Sequence, residues 1–254
     1  MAKQYYKLPL QVLPPHHQDL DGTAFVFLLN PTGGVLQGDH LSTKILLKEK
    51  SKVLLTTPSS NKFYKMDEEY ALVEMVCDVK KHAILEYLPD YNILFSNAKV
   101  RQKTKFYLDS TSTLFAWDII VPGRISKGEA FQYDCYDSAI SIYVEEELIA
   151  YEHNVLKPKE KELSCIGLLE GNMNYATIYI YSPKADNHLL RIIKDAIKKH
   201  TNNQNGAASL PRENLIVAKI MSKEIRNIKN TMKIVWDVSR RELMNKESVC
   251  IRKY

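Results

Sequence analysis

The spacing at which apolar residues recur changes once along this chain, and that change limits what it can fold into. From Thr23 to about Tyr181 the dominant period is two, the mark of strands with one buried face; after Pro183 it becomes the 3.6 of amphipathic helices. Over 100–108, Val100, Gln102, Thr104, Phe106 and Leu108 alternate with Arg101, Lys103, Lys105 and Tyr107, so the charges collect on one face. Over 70–79, Ala71, Val73, Met75, Cys77 and Val79 alternate with a more polar set. Further strands are expected at 23–29, 41–47, 53–57, 84–88, 113–121, 131–136, 140–144 and 148–153. Ten short strands with no helical period between them argue against a doubly wound α/β sheet. They predict mostly antiparallel strands in stacked sheets.

Beyond Pro183, Leu189, Ile192, Ile193, Ala196 and Ile197 form a helical stripe with Arg191, Lys194, Asp195 and Lys198 opposite. The polar tract TNNQNGAAS, 201–209, reads as a loop, and 215–220 as a short apolar strand. A second helix is expected from near Ser222, with Ile225, Ile228, Met232 and Val235 as its buried seam. The expected fold class is α+β and β-rich, one domain over 1–254, with a β body over about 23–181 and a helical part over about 184–245. No repeat with a period of 20–50 residues is visible.

Composition excludes several function classes. Thirty-five Lys and Arg against 30 Asp and Glu give a net charge of +5, dispersed over positions such as Lys48, Lys80, Lys81, Lys157, Lys161 and Lys198. Nucleic-acid binding draws on clustered cations, so no nucleic-acid partner is expected. Cys77, Cys135, Cys165 and Cys250 are too far apart for a CxxC site and read as reduced thiols. The N-terminus has no apolar signal core and the longest apolar run, 24–29, is far short of a membrane span, so a cytoplasmic location is expected. The phosphate-cradling, dinucleotide, nucleophile-elbow and HExxH motifs are all missing. His16 and His17 are adjacent, and on an extended segment they point apart. Asp19-Leu20-Asp21-Gly22 opens like a calcium loop but lacks the later Gly and Glu, so it reads as a turn.

Two segments are less generic. In NPTGGVLQGD, 30–39, Gly33, Gly34 and Gly38 allow a tight loop that aims Asp39, and LLTTPSSNKFYKM follows at 54–66. In WDIIVPGRISKGEAF, 117–131, Asp118, Arg124 and Glu129 flank an apolar strand and two glycines. Together they resemble the urease accessory protein family called UreD or UreH, whose pattern runs NPPGG, a GD pair, a strand, then TTQAATK with an aromatic and a base. Here NPTGG, Gly38-Asp39 and TTPSSNKFYK, with Lys62, Tyr64 and Lys65, follow in the same order. LEYLPDYNILFSNAKVRQ, 85–102, and SLPRENLIVAKIM, 209–221, resemble two further family segments, and the likeness covers about 23–240. The chain departs from the pattern at Gln37 in place of a glycine, at Asp90-Tyr91 in place of Gln-Glu, and at Asp118 in place of Glu.

The resemblance implies a scaffold rather than an enzyme. It would bind apo-urease and the accessory protein UreF, hold the GTPase UreG through UreF, and deliver nickel to the urease active site during GTP-dependent maturation within a symmetric hetero-oligomer. Nickel would be in transit along an internal passage, with no tight metal site and no tightly bound cofactor. Ni²⁺ sits high in the Irving–Williams order, so a preformed Cys/His site would release it slowly, whereas separated carboxylates bind weakly enough to let it pass. Asp39, Glu86, Asp118 and Glu129 are the candidate conduit residues; Gly33, Gly34, Gly38, Lys62, Tyr64 and Arg124 are candidates for structure or partner contact. A carboxylate paired with Lys62 or Arg124 would equally fix the β framework. The alternatives are a β-rich binding module for another partner, or a hydrolase using Asp39, His40 and Glu129, which requires those three to converge on one pocket.

Overall fold

The computed structural model describes residues 3–19, 21–201, 205–247 and 249–251. The chain winds as a flattened coil between two stacked sheets. β1 (Gln11–Val12) pairs antiparallel with β2 (Ala24–Leu29) at one end of the first sheet. From β2 the chain crosses to β3 (His40–Leu47) in the second sheet and returns to β4 (Lys52–Thr56) in the first. It passes through the short β5 (Asn61–Phe63) and crosses again to β6 (Ala71–Val79). The next turn repeats this with β7 (Ile84–Leu88), β8 (Asn92–Leu94) and β9 (Lys99–Leu108), and the one after with β10 (Thr113–Val121) and β11 (Cys135–Val144).

Because a full turn separates neighbours, β2, β4, β7 and β10 stack in parallel, as do β3, β6, β9 and β11. The expectation of mostly antiparallel strands is therefore corrected. A parallel pair needs a long crossover, commonly a helix; here the crossover is a strand in the facing sheet, which leaves no helical period to read. The fold also contains the repeat that the sequence hides. Ala24 lies beside Val53, Val53 beside Leu85 and Leu85 beside Leu114, while Leu41, Val73, Gln102 and Ser138 form a row in the second sheet, at offsets of 29 to 36 residues. Each turn needs only alternation, not the same residues, so the repeat leaves no sequence identity.

Antiparallel pairing appears past the coil. β12 (Glu147–Leu156) folds back on β11, and β13 (Asn174–Tyr181), β15 (Leu215–Ser222) and β14 (Gly206–Arg212) widen the first sheet beyond β10. Two boundaries differ from expectation. Residues 131–134 are loop, with Phe131 at φ 57°, and the strand begins at Cys135. Gly206–Ser209, expected as loop, belong to β14; a Cβ on Gly206 would lie 2.6 Å from Ile197 Cγ2, so the small residue reflects a helix packed overhead. Residues 202–204 of that tract lie outside the described residues.

Two helices cover the outer face of the first sheet. α1 (Asn187–His200) is capped by Asp186, which accepts the Leu189 N–H at 2.9 Å, and it buries Leu189, Leu190, Ile193 and Ile197. α2 (Ile225–Met244) ends on Asn245 in the left-handed region at φ 52° and buries Ile228, Met232, Val235 and Trp236. These side chains form one apolar cluster with Phe25, Phe115, Ile178 and Ile216 of the sheet. Between the sheets lie two more clusters, one containing Leu85, Phe106, Leu114 and Ile142, the other Phe63, Val100, Ile120 and Tyr136.

Candidate functional site

The two motif-bearing segments meet on one face of the coil. Gly34 must be glycine, since an added Cβ would lie 2.3 Å from the Tyr64 ring and 2.7 Å from the Lys62 carbonyl oxygen. Tyr64 Oη donates to the Gly33 carbonyl at 3.4 Å, and its ring packs edge-on to Phe95 with centroids 5.0 Å apart. Arg124 lies over the other part of Phe95, 4.6 Å from its centroid, and pairs with Glu129. Glu129 also accepts the Ser96 N–H. Burial alone would raise its pKa, but Arg124 and the Ser96 amide hold the carboxyl below its usual range. Gly123, at φ 139°, permits this clamp, because a Cβ there would overlap the Glu129 carbonyl oxygen at 2.0 Å. Lys62 lines a shallow cleft beside Gly33 and Gly34 and makes no ion pair among the described residues. Asp39 fastens its own loop, accepting the Leu36 N–H at 2.8 Å across the Gly38 turn, where φ is 75°. Gln37, the departure from the family pattern, accepts the amides of Asp67 and Glu68 at 2.7 and 3.0 Å and ties this loop to the next turn.

Glu86 lies elsewhere. It is fully buried on the helix side of β7, where its carboxylate accepts from Trp236 Nε1 at 2.6 Å and from Arg240 Nε and Nη2 at 2.8 and 3.0 Å. Arg240, also fully buried, reaches Asp19 at 2.6 Å, and Lys246 pairs with Asp19 and Asp21. The Asp19–Asp21 turn therefore stitches the chain's first part to the end of α2; Leu20 lies outside the described residues. Asp90 and Tyr91, the second departure, also face α2: Lys229 Nζ is 3.4 Å from Asp90 and 5.1 Å from the Tyr91 ring.

Asp118 occupies a different environment again. Along β10, Leu114 and Ala116 belong to one inter-sheet cluster and Ile120 to the other; Asp118 stands between them on the same face. Several strands that cross this level contribute a polar side chain, Thr43, Gln102, Thr104, Ser138 and Glu152 from the second sheet and Asn92, Thr177 and Lys219 from the first, while β6 contributes the apolar Val73 and Met75. The result is a partly polar layer between two apolar ones. Asn92 Nδ2 donates to Asp118 at 3.1 Å, and Tyr136 Oη approaches the second Asp118 oxygen at 3.5 Å. Asp118, Thr177 and Lys219 are register partners on β10, β13 and β15. Glu152, facing them from β12, accepts from Tyr175 Oη at 2.8 Å and Asn154 Nδ2 at 2.9 Å, lies 3.3 Å from Thr177 Oγ1, and pairs with Lys219 at 2.9 Å.

At one edge the layer opens into a cleft of about 90 Å³, room for several waters, whose wall mixes polar residues such as Asn61, Gln102 and Asp118 with apolar ones such as Leu28, Phe63 and Val73. Asp118 is thus deep in the body yet in touch with water-sized space. Burial, with the Glu152 charge as a second cause, pushes its carboxyl up to about 6. Tyr179 Oη is buried beside the layer, where burial, with the Glu152 charge as a second cause, raises its hydroxyl above the usual range. Cys77 and Cys135 are buried thiols, both raised by burial, and Cys165 and Cys250 are exposed.

Of the four predicted carboxylates, only Asp118 enters this layer; Asp39, Glu86 and Glu129 are each engaged in a framework contact. The trio Asp39, His40 and Glu129 is not gathered either, since His40 pairs with Glu74 at 2.9 Å and no hydrogen bond joins the three. Glu152, Thr177 and Lys219 had no place among the sequence candidates. For Thr177 and Lys219 the signal was available as polar residues at inward positions of apolar strands, Thr177 between Tyr175 and Tyr179 and Lys219 between Val217 and Met221.

The fold and site together are a coiled β sandwich with a partly polar level between two apolar clusters. The family described as UreD urease accessory protein matches residues 1–253. Among curated relatives, the Bacillus cereus (strain ATCC 10987 / NRS 248) urease accessory protein UreD is 31% identical over 252 residues, covering 99% of this chain and 92% of that protein. UreD of Lysinibacillus sphaericus is 31% identical over 225 residues, 88% of this chain and 84% of that protein, and UreD of the archaeon Cenarchaeum symbiosum is 28% identical over 257 residues, 100% and 90%. The chain belongs to the UreD family of urease accessory proteins, whose work is urease maturation. Among the described residues no helix is long and apolar enough to cross a membrane.

Proposed function

We propose that this chain is the nickel-delivery scaffold of urease maturation, binding apo-urease and UreF, with UreG held through UreF, and passing Ni²⁺ along the polar layer after GTP hydrolysis. One observation supports this most: Asp118 and Glu152 project into the same level between the sheets, which has apolar clusters on either side and a cleft with water-sized space at Asp118. Two carboxylates, hydroxyls and amides along such a layer attract a divalent ion, and none of them closes a tight polyhedron around it. Among the described residues no three His, Cys, Asp or Glu side chains are gathered to hold a metal. Asp118 and Glu152 are assigned the conduit role, and Asp39, Glu86 and Glu129 hold the frame in which it forms.

The test is the nickel content of urease from cells carrying Asp118→Asn together with Glu152→Gln. Nickel per active site is expected to fall several-fold while the chain still co-purifies with urease and its accessory proteins. Full nickel loading by the double variant would remove the conduit reading.

A further inference from the structure

The polar layer is open at the cleft edge and closed at the other. There, Lys219 on β15 extends inward from the row Asp118–Thr177–Lys219, and its ammonium reaches Glu152 on β12, the last strand of the second sheet. The two oxygens of Glu152 are used unequally. Oε1 accepts from Tyr175 and Asn154, with the Thr177 hydroxyl nearby at 3.3 Å and donating at 2.7 Å to Tyr175 Oη, whereas Oε2 pairs with Lys219. Lys219 itself is half in water, its side chain 50% exposed against 14% for Glu152, and its ammonium also lies 5.7 Å from the Tyr175 ring centroid.

We propose that the Lys219 ammonium is a tethered plug: it occupies the Oε2 oxygen of Glu152 at the rim, and a divalent cation crosses the rim only after Lys219 has swung into solvent. The proposal rests on the conduit reading and adds its control element. Three features of the geometry support it. A half-exposed Lys–carboxylate pair is held weakly and has a long flexible stem, so release is easy. The Tyr175 and Asn154 donors on Oε1 keep Glu152 in position after the lysine leaves, which presents Oε2 as a ready single ligand. While in place, the lysine puts a fixed positive charge where a divalent ion would have to pass, and two like charges that close repel strongly in a partly buried site. A surface that draws Lys219 outward, such as a carboxylate of a docked partner, would open the rim only when that partner is seated.

The experiment is Ni²⁺ binding to the purified full-length chain by titration calorimetry, which needs no urease and so separates this proposal from the conduit reading. Lys219→Met, which keeps the apolar stem and removes the charge, should bind Ni²⁺ about tenfold more tightly than the parent, close to 1.4 kcal/mol. Lys219→Arg should bind as the parent does. In Lys219→Met combined with Glu152→Gln the gain should vanish. Circular dichroism melts of the same samples check that each is folded, and the Lys219→Arg arm keeps the test valid should Lys219→Met not fold. Parent-like affinity in folded Lys219→Met, a gain that persists without Glu152, or tighter binding by Lys219→Arg would each overturn the plug.

Discussion

Asp118 carries the clearest single-residue consequence. Burial raises its carboxyl from 3.8 to about 6, so between those values the native chain holds a proton that the unfolded chain has released. Its contribution to stability therefore falls as pH rises through that window and stays unfavourable above it. Asp118→Asn keeps the shape and removes the buried charge. Urea unfolding should show the variant more stable than the parent at pH 7.5, by on the order of 1–2 kcal/mol, with the gap closing near pH 4; a gap independent of pH would refute this account of the carboxyl. Such a residue is kept at a cost to the fold, the pattern expected of a group that serves function. Asp118 was legible as the one charged residue in the otherwise apolar run 114–121, but Glu152 lies in a strand where polar and apolar residues are mixed, and nothing local marks it.

Among elements, α2 shows how a helix can be anchored by charge as well as by an apolar stripe. Its buried face includes Arg240, held by Glu86 of β7 and Asp19, and stacked 4.9 Å from the Trp236 ring centroid. Removing one partner of a buried pair strands the other in a low-dielectric site. Glu86→Ala is expected to destabilise the chain by about 3 kcal/mol or more in chemical denaturation, and Glu86→Leu with Arg240→Met should recover most of the loss. A double variant no better than the single one would mean that the network does more than satisfy its own charges. The helix and its apolar seam were readable from spacing, whereas the ion pair joins positions 154 apart and could not be. β13 escaped the reading for a related reason. With α2 on one face and the second sheet on the other, it is buried on both sides and shows no alternation.

At the scale of the molecule, family membership and fold give one testable statement about company. From a urease-producing cell, the tagged chain should co-elute with urease subunits and accessory proteins by mass analysis, and Asp118→Asn should not change that set, because Asp118 lies between the sheets. Recovery of an unrelated client without urease would return the chain to a general β-rich binding module. The coil also explains why the layer exists at all. Stacked turns bring Gln102 beside Ser138, and the antiparallel addition of β13 brings Thr177 beside Asp118, so polar residues far apart in sequence share one level of the body.

By itself the sequence determined the β-rich body, the change to helix after Pro183, both helical seams, the family and the exposed motif loops, because periodicity, glycine placement and short-range motifs are properties of neighbours along the chain. Only the tertiary structure decided that the strands run parallel, that Glu86 anchors a helix while Asp118 faces water-sized space, and that Glu152 and Lys219 close the layer. Those outcomes depend on which residues meet after about 30 or more intervening positions, and no local pattern encodes such meetings.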